Sequence, residues 1–357
     1  MQTCLMVTAA LSIALFRLEG GSTVKKALEN KVAIVTGSSH SVGRAIAIAL
    51  ANEGAKVVTN SRKQGGTKFL NISETLYNSW TPERRAEYDA LFKKIGGDAG
   101  DTADYIREHG GEAVACFGDI SQVETGEKLV KCAIDSFGTV DILVNVAGGF
   151  AYGGVEVITE EQYDSNNDIK PKGYFNVIRA AAPIMKAKKW GRIINCTSIA
   201  WQGGALKFTQ YCVCNAGVVG MTRGLAKELH EYGITVNAFS PHAKNREAYE
   251  EIFMESGADD YAAATNKAAS LRLDQPEPES NAPFLCWLCT ENASKVTGAV
   301  FSFHHNEVSM HQDPSVCAII SKPDECGPWD YEELLTESKR RLFLNYKSIC
   351  EPGVKIG

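Results

Sequence analysis

The stretch Lys31–Gly43, KVAIVTGSSHSVG, limits the possible folds more than any other part of the chain. Its apolar run Val32–Val35 predicts a short buried strand, Thr36-Gly37 a tight turn, and Ala45–Leu50, extended through Glu53, a helix. Strand, Gly/Ser-rich turn and helix in that order gather backbone N–H groups at the positive end of a helix, where a pyrophosphate can sit. A P-loop is excluded, because no Gly-Lys-Ser/Thr follows the turn. Taken alone, the segment also fits an ordinary turn of an α/β protein.

Six further apolar runs read as strands: Ala55–Thr59, Ala113–Phe117, Val140–Val144, Arg192–Cys196, Ile234–Phe239 and Ala299–Phe303. Helical patterns separate most of them, including Glu124–Phe137, Phe175–Lys188, a helix from near Tyr211 to His230, and Ala282–Cys289. Alternation of this kind predicts an α/β fold with a parallel sheet. The strands end in Asn60-Ser61-Arg62, Asp119, Asn145-Val146-Ala147-Gly148-Gly149, Thr197-Ser198 and Ser240-Pro241, so polar and small residues collect at one rim. A neutral strand end followed by Arg62 suits a 2′-phosphate and tilts the reading toward NADP(H) over NAD(H), with His40 as a second contact. A solvated arginine is the competing reading. Pro171 is expected to break the helical pattern between Glu160–Asp168 and Phe175–Lys188.

At 357 residues the chain is long enough for one large α/β domain with additions. Residues 1–30 read as an N-terminal extension, 31–303 as the nucleotide-binding domain with an insertion around 64–104, and 304–357 as a C-terminal extension. Within the insertion Thr81-Pro82 caps an exposed helix over Glu83–Ile95, and Tyr105–His109 is expected to rejoin the main layer. Lys244–Ala269 reads as a helical lid or substrate wall, and Tyr331–Leu344 as one helix of the tail. The apolar run Leu5–Phe16 is too short to span a bilayer. A net charge of −6 offers no footprint for nucleic acid or an anionic membrane. The eleven cysteines lack the spacing of a disulfide scaffold, which points to a reducing, cytoplasmic setting. Cys286-x-x-Cys289 and Cys212-x-Cys214 have no companion ligands at metal-binding spacing, and no metal is expected there.

From Lys31 to about Phe303 the chain resembles the classical short-chain dehydrogenase/reductase family. The resemblance rests on an ordered set: Thr36-Gly37 and Gly43, Asp119, Asn145-Ala147-Gly148, Ser198, Tyr211 thirteen residues later, and Pro241. It implies a Rossmann-like, doubly wound parallel sheet of about seven strands with helices on both faces, an NAD(P) cofactor, and interconversion of a hydroxyl and a carbonyl. It also implies a dimer or tetramer built through the helices around 173–188 and 211–230. The implied cofactor contacts are Gly37, Ser39, His40, Ser41, Val42, Gly43, Ser61, Arg62, Asp119, Ile120, Asn145, Ala147, Gly148 and Pro241. The implied catalytic groups are Tyr211, whose phenol exchanges the hydroxyl proton, and Ser198, which orients the oxygen.

A phenol titrates near 10, so it needs a nearby cation to act near neutrality. The family supplies a lysine four residues after the tyrosine, where this chain has Asn215; the position of the family's helix asparagine is Lys170. The two residues are exchanged, and an ammonium at Lys170 can serve the same phenol from the other side. Further departures are Ser41 for the middle loop glycine, Val146 for a second asparagine, His242 after Pro241, Asn245 for a threonine, and His304-His305 for a terminal Gly-Gly. Two functions stand: an NADP(H)-preferring oxidoreductase with a relocated cation, or a noncatalytic or nucleotide-sensing subunit paired with an active homologue. The substrate is read as a small alcohol or ketone, with an acyl thioester as a further option. Phe150, Tyr152, Trp201 and Phe208 are candidate pocket walls, and Lys207 and Arg246 are candidate contacts for an acidic or acyl-carrier substrate.

Overall fold

The computed structural model describes residues 26–66, 74–95, 97–149, 151, 153–203, 207–245, 275–323 and 326–344. The apolar run at 5–16, Phe150, Tyr152, Arg246 and nearly all of the expected helix at 244–269 lie outside the described residues.

Seven parallel strands form the sheet: β1 Val32–Thr36, β2 Lys56–Ser61, β3 Glu112–Phe117, β4 Ile142–Asn145, β5 Gly191–Cys196, β6 Ile234–Ser240 and β7 Val300–His304. The order is β3-β2-β1-β4-β5-β6-β7, closed at one edge by an eighth strand, β8 Glu307–Met310. Parallel neighbours need crossover connections, and helices supply them on both faces. On one face lie α1 Ser41–Asn52, α4 Ala99–Glu108 and α9 Ala282–Leu288. Their core centres on Ile46, Leu50, Ile106 and Leu285 against Val35, Val57 and Val144 of the sheet. On the other face α5 Val123–Phe137, α7 Tyr174–Lys188 and α8 Thr209–Leu229 pack Leu129, Val177 and Val218 against Ile34, Leu143 and Val236. Because β1 and β4–β6 are covered on both sides, their residues are buried without alternation, as the continuous apolar runs predict.

Four features differ from the sequence reading. β8 is antiparallel to β7, joined by a turn through His305 at φ +52°, and its alternation is too weak to stand out in sequence. The helix rejoining the main layer begins at Ala99 rather than near Tyr105; Asp98 caps it by accepting from the N–H groups of Gly100 and Asp101. Before it, α2 Glu74–Ser79 precedes α3 Pro82–Ile95, and Trp80 and Tyr88 form a small separate cluster. Pro171 does not break its helix: α6 Glu160–Asn167 runs through a π-helical turn, Asp168–Gly173, directly into α7. The wider turn accommodates a residue with no N–H to give, and such turns concentrate at functional sites. In the tail α10 Tyr331–Glu337 likewise passes into a π-helical turn, Ser338–Leu342.

Candidate active site

The carboxyl ends of β1–β7 face one rim, where strand order reverses between β1 and β4. Across that rim runs a chain of side-chain bonds. Thr36 Oγ1 donates to Asn145 Oδ1 at 3.5 Å, Asn145 Nδ2 to Asn195 Oδ1 at 3.0 Å, and Asn195 Nδ2 to Thr222 Oγ1 at 3.1 Å. Thr36, Asn145 and Asn195 are in register on adjacent strands and fully buried. The side chain of Asn145 therefore ties β1, β4 and β5 together across the rim.

Gly37 has φ +65°, and a Cβ there would lie 2.5 Å from Ala147 Cα. A Cβ on Gly43 would lie 2.1 Å from the carbonyl oxygen of Gly37. Both glycines are thus required by the tight turn itself. Ser41 adopts φ +48°, the left-handed conformation that a glycine would take without cost. Its hydroxyl donates to the carbonyl of Lys244 at 2.9 Å, tying the loop to the segment after β6. His40 precedes α1 without a side-chain cap, and no acidic residue occupies the first turn, so this helix start suits an anion. Ser39 lies half-buried in the loop, whereas Val42 is buried in the core. A dinucleotide's pyrophosphate fits this cradle.

Beyond β2, Asn60 is buried and its amide donates to the carbonyls of Cys116 and Gly118, while Ser61 Oγ accepts from the N–H of Ala99. Arg62 is exposed and lines a cleft of about 750 Å³ together with Asp119. The opposite wall carries Glu160, Glu161, Asp164 and Asp168. Asp119 Oδ1 accepts from the N–H of Ser121, and Ile120 is buried against the Gly173 position.

At the centre of the rim stands Lys170, carried by the π-helical turn and only 4 % exposed. Its ammonium donates to Asn215 Oδ1 at 2.8 Å and to the carbonyl of Cys196 at 3.2 Å, and lies 5.5 Å from the centre of the Tyr211 ring. Burial opposes the charge most strongly, but attraction to Tyr211, Cys196 and Cys214 outweighs it and holds the ammonium above the ordinary lysine range. Asn215 Nδ2 in turn donates to the carbonyl of Tyr211 at 2.8 Å, and Thr197 Oγ1 donates to the Asn215 carbonyl at 3.0 Å. The residues exchanged in sequence thus meet in space. Gly148 leaves room for the lysine stem: a Cβ there would lie 2.8 Å from Lys170 Cε. Ser198 caps the short 3₁₀ turn after β5, and Tyr211 is the third residue of α8; both are half-buried.

The family model described as Enoyl-(Acyl carrier protein) reductase matches residues 84–304. This chain belongs to the short-chain dehydrogenase/reductase family. Short-chain dehydrogenases/reductases are NAD(P)-dependent oxidoreductases that interconvert hydroxyls and carbonyls. Among its relatives is the (2S)-[(R)-hydroxy(phenyl)methyl]succinyl-CoA dehydrogenase subunit BbsD of Thauera aromatica, 31% identical over 76% of this chain and 94% of that protein. A 3-oxoacyl-[acyl-carrier-protein] reductase of Synechocystis is 32% identical over 60% of this chain and 74% of its own length. The peroxisomal hydratase-dehydrogenase-epimerase of Saccharomyces cerevisiae is 30% identical over 76% of this chain, which spans only 26% of that longer protein. The crystal structure of a short chain dehydrogenase from Mycobacterium avium superposes with a TM-score of 0.68 at 28% identity, covering 88% of this chain and 95% of that one.

Within this short-chain dehydrogenase/reductase, several site residues were not legible in sequence. Tyr174 is fully buried and donates to the carbonyls of Ala147 and Cys196, and burial pushes its phenol well above the ordinary range. Asn195 and Thr222 carry no motif; only their place at the rim gives them a role. Trp201, expected in a substrate wall, packs beside Val219, Ala238 and Val300. Phe208 stands at the start of α8 with its ring 6.1 Å from that of Tyr211, and Lys207 has φ +62°. Pro241 is half-buried directly after β6. Among the described residues no helix is long and apolar enough to cross a membrane.

Proposed function

We propose that this chain is an active oxidoreductase in which the ammonium of Lys170 replaces the family's helix lysine. The observation that carries the reading is the buried Lys170 amine, bonded to Asn215 and facing the Tyr211 ring. Tyr211 exchanges a proton with the substrate oxygen, Ser198 donates a hydrogen bond to that oxygen, and Lys170 favours the anionic phenol electrostatically. Asn215 fixes the ammonium in place. The Gly37–Gly43 loop, the Asp119 cleft and the small residues Ala147 and Gly148 would hold the nicotinamide cofactor, which would supply or accept the hydride.

NADP(H) is the proposed cofactor, because β2 ends in neutral Asn60 and Ser61 and Arg62 is exposed on the cleft. Arg62 is the residue that would hold a 2′-phosphate, since the other charged groups lining the cleft, Asp119, Glu160, Glu161, Asp164 and Asp168, are acidic. The proposed substrate class is a 3-oxoacyl or 3-hydroxyacyl thioester, in keeping with the succinyl-CoA dehydrogenase subunit of Thauera and the 3-oxoacyl-[acyl-carrier-protein] reductase of Synechocystis. A dimer or tetramer through α7 and α8 is in keeping with Phe175 and Val213, which stand exposed on those helices.

The test follows consumption of reduced nicotinamide with 3-oxoacyl-CoA esters and with simple ketones. Turnover with NADPH above NADH is expected, falling by a factor of roughly 100 or more in Tyr211→Phe, since general acid–base groups contribute about 10²–10⁴-fold. Failure of both nucleotides to bind, or full activity in Tyr211→Phe, refutes the proposal.

A further inference from the structure

We propose that His242, His304 and His305 form a binding site for a divalent transition cation of the zinc type. His242 follows β6, His304 ends β7, and His305 opens the turn to β8, so residues far apart in sequence meet where neighbouring strands end. One ligand atom from each lies within 4.8 Å of the others. The rings are in mutual contact: His242 stacks on His304 at 4.9 Å and 12°, and His305 meets both edge-on at 5.2 and 4.8 Å.

Packing alone is a poor account of the cluster. Three imidazoles crowded together bury little apolar surface, and Nδ1 of His242 is buried with no hydrogen-bond partner. A ring nitrogen in that position can offer its lone pair to a metal.

One arm of the site is pre-organised. Fully buried Asn281 accepts from the N–H of His242 at 3.3 Å and donates to its carbonyl at 3.2 Å, which clamps the His242 backbone. His305 is held at φ +52° by the β-turn. Zn–N distances of about 2.0–2.1 Å in a tetrahedron require nitrogens about 3.4 Å apart, so the trio has to draw together and the His304 ring has to turn out of its stack on His242. The exposed side chains of His304 and His305 have the freedom to do this. Neutral imidazoles select zinc, copper or nickel over magnesium or calcium. The site also reaches the cofactor loop, because Lys244, two residues after His242, accepts the hydroxyl of Ser41.

The experiment titrates Zn²⁺ into the tag-free full chain by calorimetry and records the visible spectrum of the Co²⁺ form. One equivalent should bind, with intense tetrahedral Co²⁺ bands, and Mg²⁺ should not compete. His304→Ala and His305→Ala, at exposed positions that leave folding intact, should each weaken Zn²⁺ by at least roughly tenfold, the loss seen even for changes one shell out. His242→Ala should abolish the Co²⁺ bands. No binding by the parent chain, or affinity unchanged in both exposed-histidine variants, overturns the proposal.

Discussion

Restoring the family's arrangement gives a direct measure of what the exchange of Lys170 and Asn215 does. In Lys170→Asn, the Asn215 and Cys196 oxygens lose an ammonium donor at 2.8 and 3.2 Å. Hydrogen bonds to charged groups contribute about 1.5–3 kcal/mol each, so a loss of about 3 kcal/mol or more is expected, together with the cation that serves Tyr211. In Asn215→Lys, two ammonium groups crowd one buried pocket. At about 4 Å and an effective dielectric constant of about 20 their repulsion is about 4 kcal/mol. The double exchange removes both faults at once. Urea unfolding of the four proteins should therefore yield a favourable coupling of several kcal/mol, far above the ~0.5 kcal/mol tolerance for independent sites. Turnover should be lost in each single variant and recovered in the double one. Additive stabilities, or a Lys170→Asn protein that turns over at the parent rate, would refute the electrostatic argument.

Two other predictions test neighbouring features. Gly148→Ala puts a Cβ 2.8 Å from Lys170 Cε; it should displace the amine, cost about 1–3 kcal/mol in chemical unfolding as overpacking does, and lower kcat more than it raises KM. On α5, the neighbouring Cys116 thiol draws the Cys132 thiol down to about 7. Because the thiolate is the reactive form, alkylation of Cys132 followed by peptide mass spectrometry should rise through neutral pH, and Cys116→Ala should move the midpoint toward the free value of about 8.5.

Most of the sheet was legible because its strands are buried on both faces and read as uninterrupted apolar runs bounded by glycine and polar residues. β8 was not, since an edge hairpin with Val308 and Met310 exposed leaves no such run. The expectation of a helix break at Pro171 followed from proline's missing N–H, but a change of winding is an equally good physical answer to the same deficit. Asn145 shows the limit of motif reading: its type and place were evident, but only the register with Asn195 reveals that its amide faces a neighbouring strand. The Lys170–Asn215 bond joins positions 45 residues apart, and a paired substitution was its only trace in the sequence.

The amide of Asn215 has a direction. Its oxygen meets the ammonium and its nitrogen meets the Tyr211 carbonyl, so turning it over would set donor against donor at one end and acceptor against acceptor at the other. The side chain is in effect a latch keyed to a protonated lysine. It couples the charge state of one helix to the backbone of the next, and it gives the helix bearing the phenol a fixed seat from which to work.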